Sequence, residues 1–270
     1  MSSTRSSSNR RRLFPVPILA DNYVWLWARG GHCLIVDPGE AAPVLARLDA
    51  EGLEAVAILL THHHADHIAG AEDIRKATGA AVYGPRDPRI ACVQHEVTGG
   101  DRIRLPALEL DLEVLALPGH TRTHVGYFGS GVLFCGDTLF SLGCGRIFEG
   151  SAEALHASLE RLAKLPGETL VCPAHEYTLA NAAFALTIEP DNPGLRSRAA
   201  EAERLREAGL PTLPSTIARE RQTNPFLRCR EPAVKRAVGL ADGDPVAVFA
   251  ALRAAKDRFP SALRSPPRMP

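Results

Sequence analysis

The chain has 270 residues, and its 31 lysines and arginines balance 31 aspartates and glutamates, so no global field draws it toward nucleic acid or anionic lipid. A hydrophobic fraction of 45% and a charged fraction of 23% are those of a folded globular protein large enough to bury a core, which excludes wholesale disorder and fibrous repeats. The longest apolar stretches, such as Ala55–Leu60, fall far short of the ~20 residues a membrane-spanning helix needs.

The first twelve residues, rich in serine and arginine and without an apolar core of signal-peptide type, read as a disordered tail. The six cysteines, Cys33, Cys92, Cys135, Cys144, Cys172 and Cys229, are scattered with no CxxC pair, which reads as reduced thiols in a cytoplasmic protein. Strands are expected at Tyr23–Ala28 and at Cys33–Val36, the latter ending in the turn Asp37-Pro38-Gly39. A helix at Pro43–Ala50 precedes a buried strand, Val56–Leu60, which runs straight into Thr61-His62. Ile68–Thr78 has helical composition and stops at Gly79, and a short strand follows near Ala81–Tyr83.

Leu108–Leu117 alternates and then turns at Pro118-Gly119, while Val125–Phe128 and Gly131–Cys135 read as a hairpin pair that runs into Gly136-Asp137. Ala152–Lys164 is helical, and Thr169–Cys172 is a strand ending in Pro173-Ala174-His175. Beyond Tyr177 the pattern turns to helices at Asn181–Thr187, Leu195–Ala208 and Pro245–Arg258. The domain boundary is therefore expected near Tyr177 to Ala180, with a catalytic domain over 13–178 and a helical domain over 179–270.

The segment Thr61-His62-His63-His64-Ala65-Asp66-His67 carries the pattern His-x-His-x-Asp-His, whose imidazoles and carboxylate suit zinc, iron or manganese. Residues two apart on extended backbone point the same way, so His62 and His64 can grip one ion while His63 points elsewhere. Asp66 and His67, past the turn into a helix, can face a second ion. Pro118-Gly119-His120, Gly136-Asp137-Thr138 and Pro173-Ala174-His175 each add a ligand type just past a strand, where loops of an α/β sheet converge on a rigid frame. His32, His63, His95 and His156 lack ligand spacing and read as satisfied polar residues, and His124 as a structural one.

These residues resemble the metallo-β-lactamase superfamily, and within it the glyoxalase II family, over about Phe14 to Phe259. The resemblance implies an αββα sandwich with a C-terminal helical domain and two divalent metal ions, zinc first, iron or manganese as alternatives. It assigns His62, His64 and His120 to one ion, Asp66, His67 and His175 to the other, and Asp137 to both. Three further stretches are similar to glyoxalase II in particular: Gly136-Asp137-Thr138-Leu139-Phe140 through Gly143-Cys144-Gly145-Arg146, then His175-Glu176-Tyr177-Thr178, then Asn224-Pro225-Phe226-Leu227-Arg228 with the final helix. They imply hydrolysis of S-(2-hydroxyacyl)glutathione thioesters, chiefly S-D-lactoylglutathione to D-lactate and glutathione, the second step of methylglyoxal detoxification.

By the same resemblance Asp66 and Asp137 serve the metal-bridging hydroxide, while Arg146, Phe148, Tyr177, Arg253 and Lys256 contact the glutathione moiety. Arg253 and Lys256 lie three apart, on one face of the final helix. Arg146 and Phe148 depart from a lysine and a tyrosine of the family, which keeps the charge but drops a hydroxyl. Thr123 stands where relatives often carry glycine. The implied partner is a small glutathione thioester, with no nucleic acid or membrane, on a monomer. The competing readings are a glutathione-dependent sulfur dioxygenase, another hydrolase of this fold such as a nuclease, and a non-catalytic metal-binding module.

Overall fold

The computed structural model describes residues 11–260. Within it the chain divides into two compact units, one taking in the chain up to Ala116 with Thr123–Ser130, the other Leu117–Arg122 with Gly131 onward.

The first unit opens with strand β1 (Arg12–Ile18), antiparallel to β2 (Asn22–Arg29), which is antiparallel in turn to β3 (His32–Val36). Helix α1 (Ala42–Glu51) carries the chain to β4 (Glu54–Leu59), parallel to β3. Helices α2 (Ala65–Ile68) and α3 (Ala71–Thr78) lead on to β5 (Ala81–Pro85), and β6 (His95–Val97) completes a sheet whose order follows the sequence. Strands β7 (Arg102–Leu105), β8 (Leu110–Ala116) and β9 (Val125–Gly129) then run antiparallel to one another. Val24, Leu26, Ile35, Ile58 and Val82 from the first sheet bury against Val44 and Leu48 of α1 and Ile74 of α3, which closes one core.

Two features depart from the expected elements. The proposed tail through residue 12 lies outside the described residues up to 10, but Arg12 begins β1, pairs in register with Ala28 and forms an ion pair with Glu51 at 2.5 Å. Pro15 and Pro17 mask this strand in the sequence. They are tolerated because β1 is the sheet's edge, where a strand loses nothing by lacking two donors. The helix expected as one piece at Ile68–Thr78 is broken at Gly70, whose amide donates to Pro38 O at 2.9 Å. A Cβ there would stand 2.5 Å from the Glu40 backbone, so only glycine lets the chain pass.

In the second unit β10 (Val132–Gly136) is parallel to β13 (Leu170–Pro173), and β13 is antiparallel to β14 (Ser215–Thr216). A short hairpin of β11 (Leu139–Phe140) and β12 (Gly143–Cys144) follows β10, and α4 (Ala152–Leu162) precedes β13. The remaining helices are α5 (Thr178–Ile188), α6 (Pro193–Glu207), α7 (Ile217–Thr223), α8 (Pro232–Ala237) and α9 (Pro245–Arg258). Their starts are written in the sequence. Ser151, Asn192, Thr216 and Asp244 each accept a first-turn amide of α4, α6, α7 and α9, and proline opens α6, α8 and α9.

Phe226, in the turn after α7, packs its ring 6.1 Å from Phe184 of α5 and 5.8 Å from Phe249 of α9. It is fully buried and ties three parts of the helical region together. Phe226→Ala is expected to cost about 3–5 kcal/mol of stability, read as a lower urea midpoint at unchanged slope.

Candidate metal centre

The loop that follows β4 is organised by Asp37, a buried carboxylate at the end of β3 in left-handed backbone, φ 53°. Thr61 donates to it twice, from its amide at 2.8 Å and its hydroxyl at 2.7 Å, and His67 Nδ1 donates at 3.0 Å. The tautomers follow by elimination. Thr61 Oγ1 has one proton and gives it to Asp37, so His62 Nδ1, 3.0 Å away, must be the donor to that oxygen. His62 and His67 therefore both direct a basic Nε2 away from their holders. Asn22 Nδ2 donates to Asp66 Oδ2 at 2.9 Å, which orients that carboxylate in the same loop.

Three further residues come from strand ends in the second unit. His120 Nδ1 donates to the Arg146 carbonyl at 2.8 Å, which again leaves Nε2 as the lone-pair nitrogen. Asp137 follows β10 directly. One of its oxygens lies 3.5 Å from His120 Nε2 and the other 3.3 Å from His175 Nε2. His175, past the end of β13, stacks its ring on Tyr177 at 4.6 Å and 8°.

The ligand atoms gather in three groups, each within 4.8 Å: His62 with His64 and His120, His62 with His67 and Asp137, and Asp66 with His67 and His175. All seven residues proposed from the sequence are in them. The donor set fits a pair of divalent ions. Nitrogen and oxygen donors about 2.0–2.1 Å from a tetrahedral ion stand roughly 3.3 Å from one another. His62 Nε2 and His64 Nδ1 are 3.0 Å apart, His67 Nε2 and Asp66 Oδ2 3.5 Å, and the two Asp137 pairs lie at the distances just given. Five imidazoles and two carboxylates supply nitrogen and oxygen ligands and no thiolate, a mixture that zinc, iron and manganese accept.

The histidines read as satisfied polar residues have other partners. His63 Nδ1 lies 3.6 Å from Asp87, His32 Nδ1 3.7 Å from Glu54, and His95 stacks on Tyr83 at 4.6 Å. Buried His156 sits 5.5 Å from the Phe249 ring, and desolvation pushes its pKa down. His124 stacks on His62 at 4.8 Å and buttresses a ligand ring. The Thr123 hydroxyl donates to Asp87 at 2.7 Å. Together with the stronger hydrogen bonds from Arg89, this holds the Asp87 carboxyl well below the usual carboxylate range.

The proposed substrate contacts fall into two kinds. Arg253 is buried and donates to the carbonyls of Cys144 at 2.9 Å and Gly145 at 3.4 Å and to Asp257 at 3.0 Å. Lys256, also buried, donates to Ala180 O at 2.7 Å. Arg146 and Phe148 instead reach outward, Arg146 within 3.8 Å of Asp257 and Phe148 edge-on to the His120 ring at 5.2 Å. Every cysteine is an unpaired thiol, and burial raises Cys33 and Cys229 to about 12 and Cys144 to about 11. Asp37 and Asn22, which orient the ligands, were not singled out by sequence. Asp37 reads there as an ordinary turn residue before Pro38-Gly39.

Comparison with known proteins adds independent weight. The family model of the metallo-beta-lactamase superfamily matches residues 18–175, and that of the hydroxyacylglutathione hydrolase C-terminus matches 176–259. The hydroxyacylglutathione hydrolase of Methylobacillus flagellatus is 52% identical over 246 residues, covering 90% of this chain and 98% of that protein. Among solved structures, ETHE1 from Myxococcus xanthus superposes with a TM-score of 0.62 at 28% identity, covering 92% of this chain and 98% of that one. TTHA1623 in a di-iron-bound form does so with a TM-score of 0.58 at 28% identity, over 79% of this chain and 100% of that one. The architecture is thus the metallo-β-lactamase fold with a C-terminal helical region, as the resemblance implied.

Asp37→Asn offers two amide protons where Thr61 and His67 need an acceptor. It is expected to weaken zinc retention about 10–100-fold while the protein stays folded, measured by competition with a chromophoric chelator.

Proposed function

The chain belongs to the metallo-β-lactamase superfamily and, within it, to the hydroxyacylglutathione hydrolases; its activity is hydrolysis of 2-hydroxyacylglutathione thioesters, and we propose that the seven residues His62, His64, Asp66, His67, His120, Asp137 and His175 carry it, with S-D-lactoylglutathione as the chief substrate. The observation that carries this reading is Asp137, which offers one oxygen beside His120 and the other beside His175. A carboxylate so placed would serve two ions at once. His62, His64 and His120 would hold the first and Asp66, His67 and His175 the second. We take both as zinc, with iron or manganese as the alternatives that metal analysis decides. Bound there, such ions supply a water acidic enough to act near neutral pH and a Lewis acid for the thioester carbonyl.

The protein's own groups set the conditions for that chemistry. Asn22 holds Asp66 Oδ2, so this carboxylate can accept a hydrogen bond from the attacking water and aim its lone pair at the carbonyl carbon. Attack gives a tetrahedral oxyanion, whose collapse breaks the carbon–sulfur bond and releases glutathione as a thiolate, a good leaving group that needs little help from a general acid. Four of the five ligand imidazoles, those of His62, His67, His120 and His175, are pinned through Nδ1 or by stacking and need not reorganise during turnover.

Residues 13–178 form the catalytic domain in this reading and 179–270 the helical substrate domain. Glutathione carries two carboxylates, which calls for local cations on a neutral protein. Arg146, exposed beside Asp257, meets a substrate carboxylate directly. Arg253, which shares Asp257 with Arg146, and Lys256 back that contact, and Phe148 and Tyr177 are read as further contacts with the glutathione moiety. We read the protein as a cytoplasmic monomer that takes a small thioester and neither nucleic acid nor membrane; its thiols are unpaired, as a reducing compartment keeps them. Among the described residues no helix is long and apolar enough to cross a membrane. The sulfur dioxygenase alternative is not favoured, because the helical segment matches the hydrolase C-terminus.

With zinc-reconstituted protein and S-D-lactoylglutathione, thioester absorbance should fall as free thiol appears. Asp137→Ala and His64→Ala should each abolish that turnover, and activity retained by either rules out the assignment. Arg146→Ala should raise KM several-fold and leave kcat nearly unchanged, as loss of uniform substrate binding does.

A further inference from the structure

The segment Leu139–Gly145 is wholly buried, a hairpin whose strands β11 and β12 are only two residues each, and at its tip Leu142 adopts left-handed backbone with φ 60°. Buried backbone must find partners, and here side chains of the C-terminal helices supply them. Asn181 of α5 donates to Ser141 O at 3.0 Å. Glu220 of α7 accepts the Leu142 amide at 2.8 Å. Asn224, with no exposed surface, spans the hairpin with one amide nitrogen, whose two protons are shared among Phe140 O at 3.1 Å, Gly143 O at 2.9 Å and Glu220 at 3.1 Å. Arg253 of α9 takes the next two carbonyls, those of Cys144 and Gly145.

The segment ends at the metal ligands. Arg146 O is the acceptor for His120 Nδ1. A Cβ on Gly145 would fall 1.9 Å from Asp137 O and 3.1 Å from His120 Nδ1, so this backbone lies flat against two of the seven ligands. A continuous set of hydrogen bonds and backbone contacts therefore leads from Asn224 to the imidazole that must present Nε2.

We propose that Asn224 is a positioning residue for the metal centre: by clamping the Leu139–Gly145 hairpin it fixes the Arg146 carbonyl that holds His120, so the C-terminal helices set metal retention as well as receiving substrate. This rests on the reading of His120 and Asp137 as metal ligands. Asn224 touches neither metal nor substrate and acts through the hairpin alone. Outer partners of ligating histidines carry about 10–100-fold in metal affinity, which sets the scale of the effect.

Asn224→Asp preserves the shape and turns an amide donor into a carboxylate facing two carbonyls. In the full chain reconstituted with zinc, it should release zinc to a chelator at least tenfold more readily than the parent protein. With cobalt in place of zinc, the visible absorption bands should shift, and kcat for S-D-lactoylglutathione should drop with KM within twofold. Val234→Ala, a buried truncation on α8 outside the hairpin's hydrogen bonds, should lower the melting temperature and leave zinc retention and the cobalt spectrum unchanged. If Asn224→Asp does not fold, Asn224→Ser is measured in the same way. Folded variant protein with parental zinc retention and cobalt bands overturns the proposal, as does an equal loss of zinc in Val234→Ala. Absence of thioesterase activity in the parent would remove the substrate assignment and leave the zinc comparison intact.

Discussion

The metal centre depends on the carboxylate of Asp37. An imidazole can bind a cation only with the nitrogen that lacks a proton, and a free histidine exchanges its proton between the two nitrogens. Asp37, buried and acceptor-only, takes the Thr61 hydroxyl and amide and the His67 Nδ1 proton together. That single demand forces His62 to donate to Thr61 and leaves Nε2 basic on both rings. The second unit solves the same problem with a backbone carbonyl in place of a carboxylate, that of Arg146 beneath His120. Both devices fix the tautomer before any ion arrives, and much of the reorganisation that binding would otherwise require is already done.

Much of this architecture was legible in the sequence, and what was missed failed for identifiable reasons. Strand β4 reads as a continuous apolar run because neighbours cover it on both sides, and the His-x-His-x-Asp-His pattern begins where it stops. The turns Pro118-Gly119, Gly136 and Pro173-Ala174 mark the other strand ends. Which ligands share an ion is not legible in spacing, since it depends on loops far apart in the chain, and the pairing proposed here rests on the family resemblance. Asp37 escaped notice because Asp-Pro-Gly is a common turn and the carboxylate's partners lie 24 and 30 residues away. Strand β1 escaped because its prolines, disqualifying in a central strand, are harmless at an edge. The break at Gly70 reflects a close pass against Glu40 that no local periodicity encodes.

Thr123 acts locally, on a cluster beside the metal-binding motif. Its side chain adds a donor to Asp87, a carboxylate already held by Arg89 and facing His63. The histidine in the middle of the metal-binding motif is thereby tied back by a cluster of its own, which suits a residue flanked by two ligands that must not compete for the same ion.

The C-terminal helices carry the cations Arg253 and Lys256, and the burial of both argues for a role beyond charge. Arg253 is about 5% exposed, and three of its hydrogen-bond partners are backbone carbonyls or its own helix. A guanidinium in that state cannot leave its carbonyls to follow a ligand without stranding them, and stranded buried acceptors cost about 1–3 kcal/mol each. A substrate carboxylate that approached it would therefore meet a cation already in use, gaining charge attraction while the carbonyl contacts persist. Under the proposed reading substrate recognition and ligand positioning would be coupled: a change that loosens Arg253 would also loosen the backbone beneath His120. In the proposed reading the exposed Arg146 would meet the substrate while the buried arginine keeps the site in shape.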